Sequence, residues 1–88
     1  MPECTATIVN QVGLHARPAA QIVKLASRFK SDITLAREDL EVNAKSIMGV
    51  MMLAAERGAK LVLRAEGPDA DAALVALSQL IADGFGEP

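Results

Sequence analysis

The residues with chemistry in them gather near the start of the chain. Gly13-Leu14-His15-Ala16-Arg17-Pro18-Ala19-Ala20 holds the only histidine in the sequence, with an arginine close behind it. A strand pattern stops just before this stretch and a helical pattern begins within it, so His15 falls at or just before a helix N-terminus. The first four N–H groups of a helix lack intrahelical partners, and the helix dipole leaves partial positive charge there. Such an end takes anions, phosphate above all. Pro18 suits the first turn, because its ring fixes φ and its missing N–H falls among the orphan donors. The amides of Ala16 and Arg17 are then free to hold phosphoryl oxygens, and the Arg17 guanidinium adds a charge-assisted fork. An arginine in the first turn opposes the dipole, a small penalty that points to a functional reason for its presence. Imidazole, guanidinium and open amides in one small volume are the chemistry of a phosphoryl group parked on histidine.

A second stretch, Lys45-Ser46-Ile47-Met48-Gly49-Val50-Met51-Met52-Leu53-Ala54-Ala55, is apolar beyond its first two residues. Ser46 reads as the N-cap of a helix over Ile47 to about Arg57, closed by Gly58. Ile47, Val50, Met51 and Ala54 make one stripe of that helix, and Met48, Met52 and Ala55 make another. Both stripes cannot face one sheet. The spare stripe is expected to dock partners, and methionine adapts its shape to several. Ile47, Met48, Met51 and Met52 are the docking candidates, with Met48 the exposed anchor and the sides taken by Met51 and Met52 left open. A loosely filled core is the competing reading. A phosphate on Ser46 would add about −1.5 to −2 charge beside this patch.

The elements that position these residues follow from periodicity. Cys4, Ala6 and Ile8 alternate with Thr5 and Thr7 in a strand from Cys4 to Val9, and Asn10-Gln11-Val12-Gly13 makes a loop. From Ala16 to about Phe29, Ala19, Ile22, Val23, Ala26 and Phe29 form the apolar stripe of a first helix. Ser31-Asp32 reads as a turn. Ile33 and Leu35, then Leu40, Val42 and Ala44, are the inward residues of a hairpin joined through Arg37-Glu38-Asp39. Leu61, Leu63 and Ala65 face inward from a further strand. Gly67-Pro68-Asp69 ends it and starts the last helix, where Asp69 and Asp71 suit the positive dipole end. Leu74, Leu77, Leu80 and Ile81 give that helix its core face, Gly84 ends it, and Gly86-Glu87-Pro88 is a tail. The order β-α-β-β-α-β-α, with one apolar face per strand, predicts an α/β (α+β) two-layer sandwich. Four antiparallel strands are covered on one face by three helices, with the other face open to water. Pattern alone leaves a ferredoxin-like sheet with an added helix as an alternative.

Eighty-eight residues suit one domain, 1–88, and a hydrophobic fraction of 51% supports a folded core. The net charge of −2, the absence of any basic run and only two aromatics argue against a nucleic-acid partner. Cys4 is alone, so a disulfide framework is excluded and a small hydrophobe is its expected role. One histidine and one distant cysteine give metal chemistry no foothold. No stretch reads as a membrane span or signal segment, and a cytoplasmic protein is expected.

The two motifs, Gly13-Leu14-His15-Ala16-Arg17-Pro18-Ala19 and Lys45-Ser46-Ile47-Met48-Gly49-Val50-Met51, resemble those of the HPr family. These are the histidine-containing phosphocarriers of the bacterial phosphoenolpyruvate-dependent sugar phosphotransferase system. The resemblance covers essentially the whole chain in length and element order. It implies an open-faced sandwich with strand order 1-4-2-3. It implies a monomeric carrier rather than an enzyme, one that takes a phosphoryl group on Nδ1 of His15 from enzyme I. The carrier then passes the group to sugar-specific IIA domains with the help of Arg17, and no cofactor is required. Ser46 matches a regulatory serine that a kinase/phosphorylase modifies in some bacteria, which would add that enzyme and a transcriptional regulator as partners. Where some members carry Thr or Ser, this chain has Ala16, so any contribution of that hydroxyl is absent. A nitrogen-related or purely regulatory relative, and a non-catalytic module holding a free anion at the helix end, are the alternatives.

Overall fold

Period-two alternation builds β1 (Glu3–Thr7), where Ala6 is buried and Thr5 and Thr7 face water. The same rule places Ile33 and Leu35 inward on β2 (Asp32–Arg37), and Leu61, Leu63 and Ala65 inward on β4 (Lys60–Glu66). β3 (Leu40–Asn43) returns from β2 through a tight turn in which Glu38 sits at φ 53. The helices are α1 (Ala16–Ala26), α2 (Ile47–Met52) and α3 (Ala70–Ala82), followed by a 3-10 turn at Gly84–Gly86. The computed structural model describes residues 2–88, and Met1 lies outside the described residues.

The strands form one antiparallel sheet in the order β1-β4-β2-β3. Since β4 pairs with both β1 and β2, those two strands run in the same direction with β4 between them. α1 joins them across the gap. In the same manner α2 carries the chain from β3 to β4, passing β2. These interleaved crossovers gather the helices on one face and settle the choice against a ferredoxin-like sheet. α3 lies across β1 and β4, while α2 packs against α1 and touches the sheet at β3. Ile8, Ile22, Ile33, Leu35, Leu61, Leu63, Leu77 and Ile81 are fully buried between the layers. Each such side chain contributes about 1.5–3 kcal/mol. The other face is wet, and there Arg64 bridges Glu3 at 2.8 Å and Glu41 at 3.0 Å. Exposed pairs of this kind add little stability.

Four elements differ from their sequence pattern. α1 stops at Ala26, so Phe29 packs on the core from the connecting segment rather than from the helix. The amides beyond it are taken elsewhere: the Asp69 carboxylate accepts Lys30 N and Ser31 N at 2.9 Å each. It also accepts the Ser31 hydroxyl at 2.6 Å, and that Oγ accepts Asp69 N in return at 3.2 Å. Asp69 therefore occupies the α3 N-cap without capping it by its side chain, and locks the start of β2 to the start of α3. Leu40, expected inside, is 38% exposed because it opens the edge strand at the hairpin tip. α2 ends at Met52 instead of reaching Arg57, because Ala54 turns to φ 48 and sends Leu53 and Ala55 into the core. Arg37 fixes that turn by donating Nη1 to Leu53 O at 3.2 Å and to Ala54 O at 2.9 Å. The fourth departure, in the final residues, belongs to the site below.

The hydrogen bonds on Asp69, the Ser31 hydroxyl foremost and the Lys30 amide next, pull its carboxyl from an ordinary 3.8 down to about 2. A folded value below the unfolded one means the lock stabilises fully above the ordinary value and is lost as pH falls through about 2. Asp69→Asn is expected to lower the urea midpoint at neutral pH. It should also lose less than wild type on acidification from about pH 4.5 to pH 2. Parallel urea titrations of the two chains across that range check it.

Candidate functional site

The loop after β1 is held from several sides. Asn10 is buried, and its Nδ2 donates to Gly13 O at 2.8 Å, closing the loop on itself. Gly13 has φ +73, and a Cβ there would come within 2.6 Å of the Ala55 carbonyl oxygen. Only glycine passes this close to that backbone without strain. The approach lets Leu14 N donate to Ala55 O at 2.8 Å while the Leu14 side chain anchors in the core. His15 follows in extended conformation (φ −82, ψ −171) as the N-cap of α1.

The helix end it introduces is open. His15 makes no side-chain cap bond, so no side chain seals the first turn from that position. Pro18 has no N–H, and Ala19 N already donates to His15 O at 3.0 Å. Ala16 and Arg17 are left as the two first-turn amides without an acceptor among the described residues. Arg17 is exposed, and its guanidinium enters no ion pair among them. The imidazole makes its hydrogen bond through Nε2, 2.9 Å from Glu87 Oε1. The same oxygen accepts Asn10 Nδ2 at 2.8 Å. The bond from His15 first, and that from Asn10 next, hold the Glu87 carboxyl below the usual carboxylate range, and the charge of Arg17 adds to it. An ionised carboxylate only accepts hydrogen bonds, so the neutral ring carries its proton on Nε2 and leaves Nδ1 with a free lone pair.

The chain end is thereby part of the site and no loose tail. Gln11 N donates to Pro88 O at 2.7 Å, Gln21 Nε2 to Phe85 O at 3.3 Å, and Phe85 is buried. Neither Asn10 nor Glu87 stood out in the sequence, since the bonds that matter span 72 and 77 residues. No local pattern announces such pairs.

The second motif lies on the helix beside α1. Ser46 Oγ accepts Gly49 N at 3.1 Å, the N-cap bond its position implied. Of α2, Val50 alone is buried; Ile47 and Met51 are 43% exposed, Met52 64% and Met48 74%. The short helix leans on α1 and the edge of the sheet, so both Met51 and Met52 stay outside. The loosely filled core is thereby excluded for these side chains.

A family model described as "PTS HPr component phosphorylation site" matches residues 2–83. The phosphocarrier protein HPr of Treponema pallidum is 54% identical over 83 residues, 94% of each chain. This chain belongs to the HPr family. The fold agrees: a crystal structure of HPr from Thermoanaerobacter tengcongensis superposes with a TM-score of 0.95 at 49% identity, covering 100% of this chain and 99% of that one. A crystal structure of Crh, the Bacillus subtilis catabolite repression containing protein, gives 0.77 at 44% identity over 84% of this chain and 85% of that one. Membership in the HPr family makes the protein a phosphocarrier of the phosphotransferase system and not an enzyme in its own right. No helix among the described residues is long and apolar enough to cross a membrane.

In this HPr-family chain Gly13 is the backbone joint on which the His15 loop turns. Gly13→Ala adds a left-handed alanine and a contact with Ala55 O, together at least ~1 kcal/mol. A fall in melting temperature of about 4 °C or more is expected, with exchange broadening of the His15 ring signals. Calorimetry and NMR of the variant check both.

Proposed function

We propose that His15 is the phosphoryl acceptor of this carrier, on Nδ1, and that Arg17 assists the transfer. The observation that carries the reading is a ring bonded through Nε2, with Nδ1 uncommitted, at a helix end presenting two unpaired amides. The Nδ1 lone pair attacks phosphorus in line, the bond to the donor breaks, and its electron pair leaves with the donor. The loose transition state asks mainly for positioned positive charge, which the amides of Ala16 and Arg17 and the guanidinium supply. Enzyme I is the donor in this reading, and sugar-specific IIA domains are the acceptors. The carrier acts as one unit over residues 1–88, as a monomer in the cytoplasm, without cofactor.

The exposed Ile47, Met48, Met51 and Met52 form the docking face, adjoining the helix that carries His15. Ser46 regulates this face. A phosphate on its hydroxyl adds charge at the N-cap of α2 that an apolar partner surface would have to desolvate. A kinase/phosphorylase and a transcriptional regulator are the further partners this implies.

Incubation with phosphoenolpyruvate and enzyme I is expected to add the mass of one phosphoryl group to the wild type and none to His15→Ala. Acid-labile phosphate on that variant would overturn the assignment. Arg17→Ala should slow transfer about tenfold or more, at least ~1.4 kcal/mol in the barrier, with Arg17→Lys recovering only part. Stopped-flow or quench-flow transfer rates check this. Ser46→Asp, and separately Met48→Glu, should raise the apparent KM for enzyme I with little change in melting temperature. A lowered turnover at unchanged KM would remove the docking explanation.

A further inference from the structure

We infer that Glu87 is a positioning residue for phosphoryl transfer: with Asn10 it fixes the His15 tautomer and balances the charge the ring acquires. The inference rests on His15 being the acceptor and adds what sets that acceptor's state. Its basis is geometric. Glu87 Oε1 receives His15 Nε2 at 2.9 Å and Asn10 Nδ2 at 2.8 Å, and the Glu87 side chain is only 13% exposed. Asn10 is 1% exposed and spends its other N–H on Gly13 O at 2.8 Å, so one buried amide ties the carboxylate to the loop that carries the histidine. Pro88 O on Gln11 N, buried Phe85 and the Gln21 contact to Phe85 O hold the segment on either side of Glu87 in place. Residue 87 also lies beyond the stretch 2–83 that the family model matches.

Two consequences follow from the chemistry. A carboxylate has no proton to give, so its bond to Nε2 selects the tautomer in which Nδ1, on the opposite edge of the ring, is the nucleophile. When Nδ1 forms its bond to phosphorus, Nε2 keeps its proton and the ring becomes cationic. Glu87 faces that cation directly, and Arg17 is the other charged group at this helix end. On the onward step the Nδ1–P bond breaks, its electron pair returns to Nδ1, and the ring is neutral again with the same proton still on Nε2. No proton has to enter or leave the site in either direction.

Long-range ¹H–¹⁵N spectra of the full chain, labelled in histidine, read the tautomer of the neutral ring without any partner. Wild type is expected to show the Nε2–H form alone. Glu87→Gln, whose amide oxygen still accepts, should keep it, and Glu87→Ala should show a mixture of both forms. Transfer from phospho-enzyme I should be at least about threefold slower in Glu87→Ala, as expected for losing a partly exposed hydrogen bond to a charged group. Glu87→Gln should fall between, having kept the orientation and lost the charge. Glu87→Ala with a wild-type tautomer and wild-type rate would overturn the assignment of Glu87 while leaving His15 as acceptor. Absence of any phosphorylation in the wild type would overturn the carrier reading itself, and with it the role of Glu87 in transfer.

Discussion

The N-terminus of α1 is left without a side-chain cap, and the contacts around His15 hold that end in place from outside. The contrast within the chain is direct. α2 begins with Ser46, whose hydroxyl accepts Gly49 N and closes the turn in the ordinary way. α1 begins with His15, which offers its helix no side-chain acceptor. An end without a cap forgoes about 1 kcal/mol and the fixed entry angle that a cap provides. The entry angle is supplied instead from outside, by the Ala55 carbonyl on Leu14, by the Asn10 amide on Gly13, and by the chain end on Gln11 and His15.

This outside support explains why α2 is short. Had it continued to Arg57, Ala55 would lie in its last turn with the carbonyl aimed along the helix axis rather than at Leu14 N. Arg37 takes up the carbonyls of Leu53 and Ala54 that the early ending exposes, and it also pairs with Glu56 at 2.7 Å. The same ending leaves α2 with a single buried residue and its methionines in water. The exposed methionine face and the support of the His15 loop are two results of one broken helix.

How much of this was legible in the sequence depended on how local the physics was. Alternation marked all four strands, and the 3.6-residue period marked α1 and α3, because those faces are decided residue by residue against water. The Ser46 cap and the His15 helix end were legible for the same reason: each involves amides within a few residues. What escaped notice is long-range polar pairing. Asp69 looked like a dipole partner for its own helix and serves Lys30 and Ser31 instead. Glu87 read as part of a tail and bonds a histidine 72 residues earlier. A carboxylate carries no sequence mark of which distant amide it will meet. Met48 was legible as exposed, whereas the sides taken by Met51 and Met52 were not, since they hinged on where the helix would stop.

The strand order has a consequence for how the protein folds. β1 is an edge strand whose sole partner is β4, the fourth of the four strands in sequence. β2 and β3 can zip as a local hairpin at small entropic cost, whereas closing β1 on β4 means ordering a loop of more than fifty residues. The segment carrying His15 hangs between these two events. Glu87 follows β4 in sequence, so the full set of contacts from Ala55, Asn10 and Glu87 forms with the long-range closure rather than with the hairpin. Support of the His15 segment is thus tied to the non-local sheet pairing, and a chain with only the β2–β3 hairpin formed lacks it.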